Sequence, residues 1–180
     1  MTRKIDGIAS LGIDINARSF LLDDEVNDSM LKTCWQALAA LGVSKPITMF
    51  LNSGGGDLAV AFSIYDLLSN FENQLTIVAL GQVSSAATII WQAADMRMIT
   101  ENSFAMIHSG SLDISSDSSE ETIERWVKHS KKYTDKMVAI YSEKMKQSPS
   151  KIRKLLQHDT IYIGNECIKC GLADALWIKT

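Results

Sequence analysis

The chain has 180 residues, of which 46% are hydrophobic and 22% are charged, and its formal net charge is −3. A chain of this length is expected to form one domain that buries its own core without disulfides or metal. The slightly acidic balance argues against a nucleic-acid partner, and no apolar window approaches the roughly 20 residues of a membrane span.

The chain opens with two pairs of strand and helix patterns. Residues 18–22 predict a strand, and apolar residues at helical spacing over residues 26–41 predict a helix. Residues 47–51 predict a second strand, which leads into a glycine-containing loop over residues 52–56. A second helix is expected over residues 58–70.

The same order recurs in the next segment. Residues 75–80 predict a buried strand, residues 81–84 a turn and residues 85–94 an apolar helix. Successive strand-loop-helix units predict a parallel sheet with helices on its faces, and therefore an α/β fold. Such sheets bind ligands at the carboxyl ends of their strands.

The second half begins with short strands predicted over residues 97–100 and 104–107. A serine-rich stretch follows, and Ser118 with Glu121 predicts the capping box of a long helix that reaches about Lys146. The apolar stripes of this helix and of the first helix exceed what one small domain must bury, which predicts contacts between subunits. The remaining predicted elements are a helix over residues 151–157, capped by Ser148, a strand over residues 160–163, a short helical stretch that reaches Cys170, and a strand over residues 175–178.

Ser85 is a candidate nucleophile at the start of an apolar helix. A serine there is most often a helix cap, and it reacts only when a base takes its proton. Among the three histidines, His108 follows an apolar strand, whereas His129 and His158 are expected at solvated positions. Asp159 lies at a helix-to-strand junction, expected to be buried, and could orient an imidazole. The residues alone leave open whether Ser85 is a nucleophile or a cap.

Residues 54–56 are three glycines between a buried strand and a helix. Backbone N–H groups at such a position favour a phosphate or a developing oxyanion, although close strand-helix packing explains the glycines equally well. No lysine followed by serine or threonine comes after Gly56, which argues against a nucleotide loop. Cys167 and Cys170 offer only half a zinc site, and with Cys34 they are predicted to be reduced core cysteines. No metal or organic cofactor is expected.

Several motifs together resemble the ClpP family, the proteolytic subunits of the Clp protease, from about Arg18 to the end of the chain. Residues 47–56 (ITMFLNSGGG) are similar to the strand and glycine loop of the family. Residues 81–86 (GQVSSA) and 106–108 (MIH) are similar to its nucleophile and base motifs, and an aspartate precedes GLAD at residues 171–174 as the family's acid does.

The resemblance implies a ClpP/crotonase-type α/β fold with repeated β-β-α units in a single domain, residues 1–180. A protruding strand-helix handle is expected at about residues 109–146, after an N-terminal segment over residues 1–17. The implied site residues are the triad Ser85, His108 and Asp159, the oxyanion donors Gly56 and Ala86, and the peptide-binding residues Gly54, Gly55, Ser109 and Gly110.

The implied function is that of an ATP-dependent Clp-type serine endopeptidase in the cytoplasm. It would cleave short peptides or unfolded polypeptides inside a homo-oligomeric chamber of heptameric rings stacked as a tetradecamer, with an AAA+ unfoldase as partner. Gly54 stands where the family has proline, and the segment before Arg18 is expected to provide only a short pore segment. The alternatives are a non-catalytic ring subunit and a crotonase-like acyl-CoA enzyme.

Overall fold

A computed structural model describes residues 12–110 and 117–178, over which eight strands form one sheet and six helices accompany it. The strands are β1 (Ile13–Asp14), β2 (Ser19–Leu22), β3 (Ile47–Ser53), β4 (Leu75–Ser84), β5 (Met96–Ile99), β6 (Phe104–Ile107), β7 (Thr160–Ile163) and β8 (Ala175–Leu176). The helices are α1 (Asp28–Leu41), α2 (Leu58–Ser69), α3 (Ala86–Trp91), α4 (Glu120–Met145), α5 (Pro149–Leu155) and α6 (Asn165–Cys170).

The sheet is mainly parallel, in the order β1-β2-β3-β4-β5-β8. Strands β2 to β5 and β8 run parallel to their neighbours, and β1 joins the edge antiparallel to β2. The first half of β4 pairs with β5, and its second half pairs with β6, which in turn pairs antiparallel with β7. The predicted α/β fold with a parallel sheet is therefore confirmed.

The predicted turn over residues 81–84 is wrong, because β4 continues through it to Ser84. Gln82, Val83 and Ser84 pair with Phe104, Ala105 and Met106 of β6. Pairing with a distant strand satisfies the backbone groups that a local turn would otherwise satisfy. This extension carries β4 to the residue before Ser85.

The core lies between the sheet and the apolar faces of the helices. In α1 the predicted stripe is confirmed, since Met30, Cys34, Leu38 and Leu41 are all buried. Trp91 of α3 is fully buried, and its indole N–H donates to the Ile77 carbonyl at 3.2 Å. Helix α3 is thus fixed to β4, the strand that ends beside Ser85.

The long helix α4 begins one residue later than predicted, since its cap is Ser119, whose hydroxyl accepts the Thr122 N–H at 3.3 Å. Its C-terminal part is buried, whereas Ile123, Trp126 and Val127 near its start are 38%, 51% and 51% exposed. The predicted apolar stripe is therefore buried only in the C-terminal part of α4, and its N-terminal part is exposed. The predicted handle, at about residues 109–146, includes residues 111–116, which lie outside the described residues.

Cys34 and Cys167 are buried and Cys170 is half-buried, and all three are free thiols. Burial raises the pKa of Cys34 and of Cys167 to about 12, so both thiols stay protonated and unreactive at neutral pH. Across residues 12–110 and 117–178, no cluster of three or more His, Cys, Asp and Glu side chains could hold a metal ion. No helix in that part of the chain has the length and apolar character needed to span a membrane.

Candidate active site

Strand pairing brings the three candidate residues to one edge of the sheet. Ser85 follows the last residue of β4, and its N–H donates to the Met106 carbonyl of β6 at 2.8 Å. His108 follows β6 directly, and Asp159 directly precedes β7. Because Ile107 pairs with Thr160 across β6 and β7, the residues next to that pair lie side by side.

The side chains of these residues form a continuous line. His108 Nε2 lies 2.7 Å from Ser85 Oγ, and His108 Nδ1 lies 3.2 Å from Asp159 Oδ1. The imidazole is 27% exposed. When Nδ1 carries the proton toward the carboxylate, Nε2 is free to accept the hydroxyl proton of Ser85. The structure therefore brings the three predicted triad residues together.

Asp159 differs from expectation in its surroundings. Its side chain is 70% exposed, so the prediction that this carboxylate lies at a buried loop is wrong. Water therefore reaches it and weakens its electrostatic effect on the imidazole. The Ser109 N–H donates to the Leu156 carbonyl at 2.8 Å, which ties the loop after His108 to the end of α5, just before Asp159.

Ser85 occupies the cap position of α3, but its hydroxyl makes no capping hydrogen bond. The hydroxyl bonds His108 instead, so the interpretation of Ser85 as a simple helix cap is not supported. Its backbone has φ 53° and ψ −127°, a conformation that non-glycine residues rarely adopt and that costs about 1–3 kcal/mol. The strained strand-to-helix turn holds the hydroxyl toward the imidazole.

The glycine loop lies against the Ser85 turn. A Cβ atom on Gly55 would lie 2.7 Å from Ser85 Cβ and 2.8 Å from the Ser84 carbonyl oxygen. The Gly55 carbonyl accepts the Val26 N–H at 2.8 Å, which anchors the loop to the segment before α1. Among the described residues, the N–H groups of Gly56 and Ala86 donate to no protein acceptor. Two amide donors therefore remain available beside the Ser85 hydroxyl.

A cleft of about 660 Å³ opens above these groups. The predicted residues Gly56, Ser85, Ala86, His108, Ser109 and Gly110 line it, together with Asp57, Leu58 and Ala59 from the start of α2. Gly54 and Gly55 precede Gly56 in the same loop. The opposite wall comes from α4 and consists of Trp126, His129, Ser130, Tyr133 and Met137.

The α4 wall was missed by sequence reasoning. His129 is exposed, as expected, but it lies in the cleft between Trp126 and Tyr133, with ring centroids 5.8 Å and 4.8 Å away. The spacing of Ser130, Tyr133 and Met137 marks one helix face, yet nothing local indicates what that face opposes. Thr88, whose hydroxyl donates to the Ser85 carbonyl, and Tyr141, whose hydroxyl bonds that of Thr88, were also missed.

A hydroxyl beside an imidazole, with a carboxylate behind it and two unused amide donors alongside, is the arrangement found in serine hydrolases. Comparison with known proteins narrows this class. Residues 8–179 match the sequence profile of the Clp protease family.

Individual relatives agree with that match. The chain is 28% identical over 176 residues to ATP-dependent Clp protease proteolytic subunit 2 of Frankia casuarinae, covering 96% of this chain and 76% of the relative. It is 28% identical over 163 residues to proteolytic subunit 2 of Treponema denticola, covering 88% and 80%. A mutant of ClpP1 from Listeria monocytogenes has the same fold, with a TM-score of 0.83, 24% identity and 96% coverage of both chains.

The chain therefore belongs to the Clp protease family. The resemblance inferred from its motifs is confirmed, as is the expected α/β fold of the ClpP type. The family is one of proteases, and the relatives named here are proteolytic subunits.

Proposed function

We propose that this protein is a serine endopeptidase whose nucleophile is Ser85, whose base is His108 and whose acid is Asp159. The single observation that carries the proposal is the 2.7 Å contact between Ser85 Oγ and His108 Nε2 in an open cleft of a Clp protease family member. A non-catalytic ring subunit would not need a strained residue to present its hydroxyl to an imidazole.

The reaction begins when Ser85 Oγ attacks the carbonyl carbon of a peptide bond and its proton passes to His108 Nε2. The carbonyl π electrons move to oxygen, and the amides of Gly56 and Ala86 stabilise the resulting oxyanion. His108 then gives the proton to the leaving amine as the C–N bond breaks, which leaves an acyl-enzyme. Water, deprotonated by His108, then attacks the ester carbon, and His108 returns the proton to Ser85 Oγ as the acyl–oxygen bond breaks and the acid is released. Asp159 orients the imidazole throughout.

The substrate is an extended peptide held as an added strand. Gly54 and Gly55 lie on one side of the scissile bond, and Ser109 and Gly110 lie on the other. The Gly55 carbonyl and the Ser109 N–H are already bonded to Val26 and Leu156, so other backbone groups of these two segments pair with the peptide. The α4 wall receives a side chain next to that bond, because it lies in the same cleft as Ser85. No cofactor enters this chemistry.

The assembly is proposed to be a cytoplasmic chamber of heptameric rings stacked as a tetradecamer. Exposed apolar side chains on α4 (Ile123, Trp126 and Val127) and on β7 (Ile161 and Ile163) support contacts between copies of the chain. An AAA+ unfoldase would use ATP to deliver unfolded polypeptide into the chamber, since the relatives are named as subunits of an ATP-dependent protease.

Labelling with a fluorophosphonate tests the nucleophile. We expect the wild-type protein to acquire one label, at Ser85, located by peptide mass spectrometry. Ser85→Ala and His108→Ala should lose it, whereas Ser63→Ala, which removes an exposed hydroxyl of α2, should keep it. An assembled wild-type protein that never labels, or one whose label persists in Ser85→Ala, contradicts the proposal.

Sizing by light scattering, combined with turnover of a fluorogenic peptide, tests the chamber and its partner. We expect a stacked double ring that cleaves the peptide alone and degrades an unfolded protein only with an unfoldase and ATP. A monomer that retains full peptidase activity would contradict the proposed chamber.

A further inference from the structure

A line of buried hydroxyl groups connects α4 with the backbone of Ser85. Tyr141 Oη lies 2.6 Å from Thr88 Oγ1, and Thr88 Oγ1 lies 2.5 Å from the Ser85 carbonyl oxygen. The Thr88 N–H donates to the same carbonyl at 3.0 Å. Tyr141 and Thr88 are both fully buried. The carbonyl of the candidate nucleophile is thus anchored by two elements of the fold.

The direction of these hydrogen bonds follows from the proton inventory. The Ser85 carbonyl can only accept, so Thr88 Oγ1 must donate its one proton to it. Thr88 Oγ1 can then only accept from Tyr141, whose hydroxyl donates. Burial raises the pKa of Tyr141, with the hydrogen bond to Thr88 acting weakly in the opposite direction, so Tyr141 keeps its proton at neutral pH. Hydrogen bonds in such a chain polarise and strengthen one another.

The peptide group between Ser85 and Ala86 transmits this anchoring to the cleft. No described peptide bond is cis. In a planar trans peptide the C=O and N–H point to opposite sides. Since the Ser85 carbonyl points toward Thr88 in the core, the Ala86 N–H points away from it, and Ala86 lines the cleft.

The conformation of Ser85 makes such anchoring necessary. At φ 53° and ψ −127° the residue is strained, and rotation of the following peptide plane would relieve the strain while turning the Ala86 N–H out of position. We propose that Thr88 and Tyr141 are positioning residues that hold the Ser85–Ala86 peptide so that the Ala86 amide is aimed at the oxyanion. This inference rests on the proposed function, because it assigns a role in the same reaction.

A local hydrogen bond from Thr88 alone would be unremarkable, because threonine commonly bonds a carbonyl three or four residues earlier in a helix. The contribution of Tyr141 is different, since it lies 53 residues away on α4. Met137, one helical turn before Tyr141, lines the cleft. One segment of α4 therefore supports the Ser85 turn from behind and forms part of the cleft wall in front.

The test uses the full chain with Tyr141→Phe, Thr88→Val and Thr88→Ser. The readouts are kcat and KM for a fluorogenic peptide and the affinity for a peptide aldehyde, which forms a tetrahedral adduct with an active serine. We expect Tyr141→Phe to lower kcat and aldehyde affinity by about tenfold each, with KM within twofold. This is less than the loss of 10²–10³ that follows outright removal of an oxyanion donor. Thr88→Val should lose more, and Thr88→Ser should recover most of the activity.

Tyr65→Phe is the matched control, since it removes the hydroxyl of a partly buried tyrosine on α2 and should change neither kcat nor aldehyde affinity. A Tyr141→Phe protein that unfolds more easily but keeps both wild-type values would overturn the proposal. So would a loss of kcat without a parallel loss of aldehyde affinity. If Thr88→Val fails to fold, the kcat and aldehyde affinity of Tyr141→Phe and Thr88→Ser still test the positioning role.

Wild-type labelling at Ser85 by a fluorophosphonate separates this inference from the proposed function. A wild type that labels, together with a Tyr141→Phe protein equal to it in kcat and aldehyde affinity, overturns the positioning role alone. A wild type that never labels overturns the proposed function, and the positioning role with it.

Discussion

Gly55 brings the glycine loop closer to the Ser85 turn than a side chain would permit. A Cβ there would meet Ser85 Cβ at 2.7 Å, the Ser84 carbonyl oxygen at 2.8 Å and the Ala86 nitrogen at 3.2 Å. Two of these contacts are with backbone, which cannot move aside as a flexible side chain can. The residue also has φ 103°, where L side chains are strained.

Gly55→Ala should therefore reduce activity and stability together. We expect nearly complete loss of peptide turnover, because the added methyl displaces Ser85 and the Ala86 amide. Gly42→Ala is the control, since Gly42 has φ 68° but a Cβ there meets nothing within 4 Å. It should lose about 1–2 kcal/mol of unfolding free energy and keep its activity. Equal turnover in the two variants would show that contact at Gly55 is unimportant.

Asp159 illustrates how exposure limits a catalytic contribution. The carboxylate lies 3.2 Å from His108 Nδ1 and is 70% exposed. Asp159→Asn should lower kcat by about 10²-fold, less than the roughly 10⁴-fold loss that follows the same change at a buried triad carboxylate, because solvent already screens the pair. Steady-state kinetics would measure it against Asp28→Asn, an exposed carboxylate on α1. Unchanged turnover in Asp159→Asn would remove this residue from the triad.

The end of α1 is closed by a side chain from another element. Arg18, just before β2, donates to the carbonyls of Leu41 at 2.7 Å, Gly42 at 3.0 Å, Lys45 at 3.1 Å and Pro46 at 3.1 Å. These are the carbonyls that a helix leaves unpaired at its C-terminus and in the turn beyond it. A planar guanidinium reaches several acceptors at once, and its charge suits the negative end of the helix dipole.

Arg18→Lys keeps the positive charge and removes the planar guanidinium with its several N–H donors. We expect the unfolding free energy to fall by about 1–3 kcal/mol, because an ammonium cannot satisfy four separated carbonyls. Urea unfolding followed by circular dichroism would measure the change. Arg125→Lys, at an exposed site on α4 beside Glu121 at 3.9 Å, should change stability by less than about 0.5 kcal/mol. Similar losses in both variants would contradict the capping role.

Sequence patterns succeeded for elements whose signal is local. The stripe of α1 repeats every three or four residues, so its buried face could be predicted without knowing what it packs against. The turn predicted over residues 81–84 failed because β6, a distant segment, provides the pairing. Ser118 is predicted as the cap of α4 because Glu121 follows it at capping-box spacing, whereas the cap in the structure is Ser119. The difference depends on which residue begins the helical hydrogen bonds, and the sequence pattern does not show that.

In the candidate site too, residues with a local sequence signal could be predicted, and residues that act through contacts with distant segments could not. Ser85 and His108 each follow a buried strand, and parallel strands deliver their ends to one edge. Tyr141 is a helical residue whose only functional signal is its contact with Thr88, and sequence separation hides that contact. The exposure of Asp159 was unpredictable for the same reason, since it depends on which segments cover the junction.

At the scale of the whole molecule, one buried arginine joins the end of the chain to the sheet. Arg97 of β5 is 7% exposed and bonds the Asp174 carboxylate through Nε at 3.0 Å and also through Nη2. Its Nη1 donates to Gln92, to the Lys144 carbonyl of α4 and to the Gly171 carbonyl after α6. The Arg97 guanidinium therefore links β5 to the residue after α3, to α4 and to the segment after α6.

This pair makes stability depend on acid pH. Burial would raise the pKa of Asp174, but the hydrogen bonds and charge of Arg97 outweigh it and hold the pKa below its usual 3.8. A folded-state pKa below the unfolded one stabilises the fold fully above the unfolded pKa, and this stabilisation is lost as pH falls through the folded value. The Arg97–Asp174 pair should therefore contribute a constant part of the unfolding free energy at neutral pH, and this contribution should be lost below about pH 4.

Chemical denaturation from about pH 7 to about pH 3 would measure the difference in unfolding free energy between wild type and Asp174→Asn. We expect a constant difference down to about pH 5 and a narrowing one below about pH 4. Asp66→Asn, which removes an exposed carboxylate of α2, controls for the change in net charge. If the difference in unfolding free energy stays constant or widens below about pH 4, the lowered pKa of Asp174 is not a source of acid sensitivity.

The strained backbone of Ser85 lowers the stability of the fold, although the proposed reaction requires a serine at this position. Glycine adopts φ 53° without steric penalty, so Ser85→Gly is expected to raise the free energy of unfolding while removing the proposed nucleophile. Serine at this position therefore costs the fold stability and in return places a hydroxyl 2.7 Å from His108 Nε2.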